Sequence, residues 1–189
     1  MKKIVYLFAA ALLFASCEKD EIGGTATESL AGQWYVNVDA VDENGDVVYT
    51  GEDVFELGTF MLLTYNTASN TADTLFVDDL ENFWKFKVKV SCNSGDRTFG
   101  NTDFADNFKY ECGVKITDGK VLSQAATTPS GMPADSIVFY VEFDDDYLVD
   151  DEGNLVVDDE GNPVYFPEAY GFKNYRISGY RYTGFELDD

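Results

Sequence analysis

Apolar residues recur at every second position through much of this chain, and that period leaves little room for anything but β-structure. Trp34, Val36 and Val38 alternate with Tyr35, Asn37 and Asp39, and Trp84, Phe86, Val88, Val90 and Cys92 alternate with Lys85, Lys87 and Lys89. Tyr110, Cys112, Val114 and Ile116 alternate with Lys109, Glu111 and Lys115, and Ile137, Phe139, Val141 and Phe143 form a fourth set. Successive side chains of a strand point to opposite faces, so each set predicts a strand with one buried and one wet face. Almost no segment shows the period of an amphipathic helix. Turn chemistry separates the strands: Asn44-Gly45, Asp118-Gly119, and two copies of Val-Asp-Asp-Glu-Gly-Asn starting at Val149 and Val157. Thr127 to Pro133, with two prolines and a glycine, reads as a loop. The expectation is an all-β chain, an antiparallel barrel of about eight to ten strands, with a β-sandwich as the alternative.

The N-terminus has a different character. Met1-Lys2-Lys3 is followed by an uncharged apolar run from Ile4 to Ala15. That is the form of a secretory signal, and it is short of the roughly 20 apolar residues of a spanning helix. The run ends Phe14-Ala15-Ser16-Cys17, which resembles the bacterial lipobox. The resemblance implies removal of residues 1–16 and acylation of Cys17. Glu18-Lys19-Asp20-Glu21 resembles the acidic export signal of Bacteroidetes surface lipoproteins. Residues 17–29 then read as anchor and flexible tether, and 30–189 as a single barrel domain. The expected location is the outer membrane, attached through the lipid on Cys17 and facing the cell surface, with a periplasm-facing orientation as the alternative.

Charge and missing residue types exclude several functions. The 189 residues carry a formal net charge of −22, with 35 acids against 13 bases. Such a chain repels phosphate backbones, so nucleic acid is not an expected partner. An aromatic content of 15% argues against disorder despite that acidity. There is no histidine, which removes His-dependent triads and His-ligated metals. No metal or other cofactor is expected. The acidic residues Asp144-Asp145-Asp146, 150–152 and 158–160 lack the EF-hand spacing and read as a solvated hairpin rather than a calcium cage. Lys85, Lys87 and Lys89 form a basic stripe; blunting a sheet edge is the favoured reading, and pairing with an anionic ligand is the other.

Cys92 and Cys112 fall on the inward sets of their strands, in a chain bound for an oxidising compartment. If those strands pair with residue numbers summing to 204, the two cysteines face each other, and a disulfide is expected.

Ala31-Gly32-Gln33-Trp34-Tyr35 opens the domain, and its Gly-x-Trp resembles the start of lipocalins and related calycin barrels. That likeness implies a tryptophan plugging one barrel end, with Gly32 beside it and an arginine of the last strand across the indole. Arg176 and Arg181 are both candidates. From this start to the Tyr/Arg-rich end, the domain also resembles the Bacteroidetes lipoproteins called lipid-binding putative hydrolases. Trp34, Trp84, Phe86 and Tyr110 are the candidate ligand-lining residues, or else simply core. The first functional reading is a lipid or other apolar small molecule held in the barrel interior. The second is a surface accessory protein binding a glycan or a protein partner. The third is a carboxylate-dependent hydrolase, although no Gly-x-Ser-x-Gly elbow and no fixed carboxylate pair supports catalysis.

Overall fold

The computed structural model describes residues 24–188. The leader, residues 1–16, and Cys17 lie outside the described residues. Ten strands form: β1 (Gly32–Val41), β2 (Val47–Thr50), β3 (Phe60–Asn66), β4 (Thr74–Asp78), β5 (Lys87–Asn93), β6 (Thr98–Gly100), β7 (Ala105–Asp106), β8 (Gly113–Thr127), β9 (Pro133–Phe143) and β10 (Asn174–Arg181). The short helices are α1 (Gly51–Phe55) and α2 (Phe166–Tyr170).

Pairing runs β1-β3-β4-β5-β6-β8-β9-β10, and β10 returns to β1. The sheet is therefore a closed antiparallel barrel of eight strands, with β2 and β7 as extra strands on its margins. Closure rules out the sandwich, and it leaves the barrel strands no open edge. The alternation set this up. Trp34, Val36, Val38 and Ala40 of β1 are buried, as are Val88 and Val90 of β5 and Ile137, Phe139, Val141 and Phe143 of β9. The intervening residues face water or are half-buried.

Two sequence expectations need correction. Asp118-Gly119 does not separate two strands: it lies inside β8, which shifts register between Thr117 and Lys120. Asp118 takes a left-handed backbone (φ 53°), and a Cβ at Gly119 would collide with Phe99. The pair is thus a bulge that bends one long strand. The tether also ends earlier than residue 29. Thr27 and Leu30 are fully buried, and Ser29 and Ser94 hydroxyls tie residues 26–29 to the end of β5.

The barrel interior is packed with side chains rather than hollow. Phe86, Phe139, Leu62, Leu75, Ile116, Ile137 and Ile177 are all completely excluded from solvent. Each such side chain contributes about 1.5–3 kcal/mol of burial free energy. Trp34 and Phe86, expected to line a ligand space or to form core, belong to this core.

Between β9 and β10 the chain leaves the barrel as two small tandem hairpins, bridged Val149↔Leu155 and Val157↔Pro163. Asp150 and Asp158 each turn a carboxylate back onto the N–H groups of their own turn. Those backbone bonds to Asn154 and Asn162 hold both carboxyls below the usual range. Asp42, ahead of Gly45, makes the same arrangement at the β1–β2 turn. The acids at 42, 150 and 158 are turn-formers, as short-range Asp hydrogen bonding predicts.

Candidate functional site

The strand register gives the barrel two unlike ends. One carries Trp34, Thr64 and Arg181; the other carries Val41, Asp78, Lys87, Phe143 and Asn174.

The first end is sealed. Trp34 is fully buried, and its indole N–H donates to Thr64 Oγ1 at 2.8 Å, whose hydroxyl donates in turn to the Leu30 carbonyl. Arg181 lies directly opposite on β10, with its guanidinium carbon 4.3 Å from the indole centroid. That guanidinium also donates to the Ala31 carbonyl at 2.6 Å and pairs with Asp135 at 3.3 Å. Gly32 is needed here, because a Cβ would collide with Arg181. Of the two candidate arginines, Arg181 closes the end. Arg176 points to the outer face and pairs with Asp39 at 2.8 Å. Parity held the answer: Tyr175, Ile177 and Arg181 share the inward face of β10, and Arg176 does not. Arg181→Ala should therefore cost roughly 1–3 kcal/mol, since it strips a cation–π contact, an ion pair and the hydrogen bond to the part-buried Ala31 carbonyl. Arg176→Ala should cost about 1 kcal/mol, since it removes one part-buried ion pair and no ring contact. Paired denaturant titrations check this, and equal losses would contradict it.

The second end is an aromatic mouth. Its loop, residues 79–86, hangs on one carboxylate. Asp79 Oδ1 accepts from Glu81 N and Phe86 N, and Oδ2 accepts from Phe83 N and Trp84 N, all between 2.8 and 3.1 Å. Leu80, Glu81 and Lys85 take left-handed backbones to allow this. Asp79 is fully buried, and burial pushes its carboxyl above the usual range while the four N–H groups pull it back.

This loop swings Phe83 and Trp84 over the barrel opening. Trp84 stacks on Phe143, with ring centroids 4.7 Å apart and planes at 12°. Phe83 meets Phe55 at 5.1 Å and Tyr175 at 5.2 Å edge-on. Phe83 and Trp84 remain half-buried, whereas Phe143 and Tyr175 beneath them are buried. Tyr110 stands at the rim, 40% exposed.

Carboxylates surround this apolar surface. Trp84 Nε1 donates to Asp145 Oδ1 at 3.3 Å, and the Tyr110 hydroxyl donates to Asp145 Oδ2 at 2.8 Å. Asp144 Oδ1 accepts from Gly113 N at 2.6 Å. Asp146, buried among these groups, accepts from the Tyr175 hydroxyl at 2.8 Å. The Tyr165 hydroxyl donates to the Phe143 carbonyl. Burial pushes the Asp146 carboxyl up to about 6 and raises both tyrosines.

A raised folded-state pKa means that the native state holds its proton more tightly than the unfolded chain. The stability that Asp146 contributes is full below pH about 4 and is lost as pH rises through about 6. Asp146→Asn, which keeps an acceptor for Tyr175, should raise the melting temperature at pH 7.5 and flatten its decline between pH 4 and 6. A variant less stable than wild type at pH 7.5 would overturn this.

Cys112 Sγ and the Asp144 and Asp145 carboxylates lie within 4.8 Å of one another, the one convergence of possible metal donors among the described residues. The bonds from Gly113, Trp84 and Tyr110 already account for where those carboxylates sit.

The expected disulfide is not formed. Both cysteines are free thiols. Cys92 lies opposite Phe99 of β6, so β5 and β8 are not neighbours at that level. Cys112 instead lies beside Asn107, which bridges Val88, four residues or about 13 Å back along β5. The inward parity expected of Cys92 and Cys112 does not fix which strands pair.

Trp84 and Tyr110, candidates for lining a ligand space or for core, both lie at the mouth. Asp79, Phe83 and Tyr175 are not singled out by the sequence pattern, and Asp146, expected in a solvated acidic hairpin, is instead buried. Phe143, beneath Trp84, belongs to the inward set of β9. No curated protein matches the chain. The model of one protein family, described as lipid-binding putative hydrolase, matches residues 19–186, from ahead of the barrel through its closing strand. With this match over almost its whole length, the chain belongs to the lipid-binding putative hydrolase family.

Proposed function

We propose that this protein is an exported lipoprotein, held in the outer membrane by acyl chains on Cys17, that binds an apolar small molecule at the barrel mouth. One observation carries the reading. Phe83 and Trp84, delivered by a loop rather than a strand and themselves half-exposed, cover a buried aromatic floor at one end of a closed barrel. An apolar chain replaces those two side chains against Phe143 and Tyr175 when the 79–86 loop moves. Membership of a family described as lipid-binding supports the reading.

The site's charges narrow the ligand. Asp79, Asp144, Asp145 and Asp146 surround the mouth, and the described ion pairs place no lysine or arginine on any of them. An anionic head group is repelled there. An uncharged head carrying a hydroxyl or amide finds acceptors in Asp145 and Asp146. The ligand is a neutral lipid, such as an alcohol, amide or sterol, in preference to a fatty-acid anion.

Orientation follows from the tether. Residues 26–29 are fastened at the Trp34 end, and Gly24 is seven residue steps from Cys17, a reach of at most about 25 Å. The sealed end faces the membrane and the mouth faces away, toward a ligand arriving from outside. Cell-surface exposure fits this orientation.

Titration of the full chain in detergent with dodecanol, dodecanamide and dodecanoate, read by native mass spectrometry, tests the proposal. Burial of a methylene contributes about 0.8 kcal/mol, so these chains suffice for micromolar binding. The alcohol and amide should bind at least about tenfold more tightly than the carboxylate at pH 8. Absence of binding by all three would remove the reading.

A further inference from the structure

The outer wall of the barrel carries a second feature, built on the lysine stripe and turned away from the aromatic floor of the mouth, which lies on the inner face. Lys87 and Lys89 face outward on β5, opposite Asp78 and Phe76 of β4. Neither lysine forms an ion pair among the described residues. Around them the aromatic side chains make a line. Tyr65 and Phe76 have centroids 5.6 Å apart, and Phe76 meets Phe108 edge-on at 5.3 Å. Lys87 Nζ sits 4.7 Å from the Phe76 centroid and 5.2 Å from that of Tyr65. Beyond Phe108, a groove of about 330 Å³ is lined by Lys89, Phe104, Ala105, Asp106 and Phe108. Phe108 is 59% exposed and Phe104 45% exposed.

Tyr65 and Phe76 are half-buried, while the exposed rings of Phe104 and Phe108 contribute little to stability, and neighbouring exposed apolar side chains mark an interaction site. The cations here decide what is bound. On a chain of net charge −22, a strip with two unpaired lysines selects for an anion. The rings select for something with flat, weakly polar C–H faces, as pyranose rings present. The Lys87 ammonium, held over the Phe76 and Tyr65 faces, is well placed for carboxylate or sulfate groups. A protein partner of ordinary affinity covers about 800 Å² a side, far more than this narrow line of rings.

We propose that the strip from Tyr65 through Phe76 and Phe108 to Phe104 binds an anionic oligosaccharide, one whose sugars bear carboxylate or sulfate. Phe108, the most exposed of these rings, packs on one sugar face, and Lys87, held over Phe76, and Lys89 bind the acidic groups. The groove between Phe104 and Phe108 receives the next sugar. Asp106 lines the same groove, and Lys115, 5.9 Å from the Phe104 ring, is already paired with Glu142 at 3.3 Å. The anionic recognition therefore rests on Lys87 and Lys89. This site stands independently of the lipid reading.

The test is calorimetric titration of the full chain in detergent with hexagalacturonate, with its fully methyl-esterified form, and with a sulfated heparin hexasaccharide. Vesicles of phosphatidylglycerol serve as the competing anionic surface. At least one acidic hexasaccharide should bind. The ester, with the same rings and no charge, should bind about tenfold or more weakly, which is 1.4 kcal/mol. Lys87→Gln and Lys89→Gln should each weaken the acidic sugar several-fold and reduce its salt dependence. Phe108→Ala should weaken it about tenfold while leaving the melting temperature unchanged, because the ring is mostly in water. Three results would each overturn the proposal: no binding of either acidic sugar, equal binding of acid and ester, or lysine variants that lose vesicle binding alone.

Discussion

Trp34→Ala should be among the most damaging single substitutions in the barrel, costing about 3–5 kcal/mol, as large-to-small changes of buried aromatics do. For a domain of this size that corresponds to roughly 10–15 °C in melting temperature. Three losses add at that position. The indole is fully buried, so its removal leaves a cavity at the foot of the core. Thr64 loses the donor that its hydroxyl accepts from, and Arg181 loses the ring beneath its guanidinium. Trp34→Phe, which keeps most of the volume but not the N–H, should cost only about 1–2 kcal/mol, the range for one buried hydrogen bond. Thermal unfolding of both variants separates these contributions. If Trp34→Ala melts within about 3 °C of the wild type, less than 2 kcal/mol is at stake and the sealed end is misdescribed.

Asp79→Asn should be nearly as costly and more local. The substitution changes one oxygen to an NH₂ group, and whichever oxygen it is accepts two backbone N–H groups in the wild type. Two donors then face a donor inside a buried turn. Hydrogen bonds to charged groups contribute about 1.5–3 kcal/mol each, and buried unmet donors cost about 1–3 kcal/mol each, so a loss of about 3 kcal/mol or more is expected. With Asp79 gone, nothing holds Leu80, Glu81 and Lys85 in left-handed conformations that non-glycine residues avoid. Hydrogen exchange should show residues 80–86 opening while β1, β9 and β10 keep their protection. A uniform loss of protection across the barrel would show instead that the loop and barrel unfold as one unit.

The barrel was legible because alternation is a property of neighbouring residues. The β1, β5 and β9 sets each needed only a few consecutive side chains to reveal a buried face. The Gly32-x-Trp34 start pointed to one sealed end, and the inward parity of β10 would have chosen Arg181 over Arg176. Interactions between distant residues left no such trace. Nothing in the order of residues says that β6 comes between β5 and β8, so the Cys92–Cys112 register failed although Val88, Val90, Val114 and Ile116 do face inward. Asp118-Gly119 has the composition of a turn, but Gly119 is there for its closeness to Phe99.

The mouth was the hardest part to read. Asp144, Asp145 and Asp146 are identical in sequence, yet two are exposed, and the third is buried beneath Tyr175 with a carboxyl raised to about 6. Asp79 is one acid among 35, and its role depends on a backbone path formed by residues with no glycine. The lysine stripe had the reverse difficulty. Its alternation was plain, while the rings of Tyr65, Phe76 and Phe108 that gather around it come from three separate segments.

The two tryptophans allow a direct test of the mouth as the ligand site. A ¹⁵N-labelled chain has two indole N–H resonances, one from Trp34 at the sealed end and one from Trp84 at the mouth, assigned with a Trp84→Phe variant. Trp84 N–H is bonded to Asp145, and its ring lies on Phe143. Dodecanol should shift the Trp84 resonance strongly as the alkyl chain displaces that ring, and leave Trp34, bonded to Thr64 in the closed core, unmoved. A shift of Trp34 alone, or of neither resonance at saturating dodecanol, would contradict binding at the mouth.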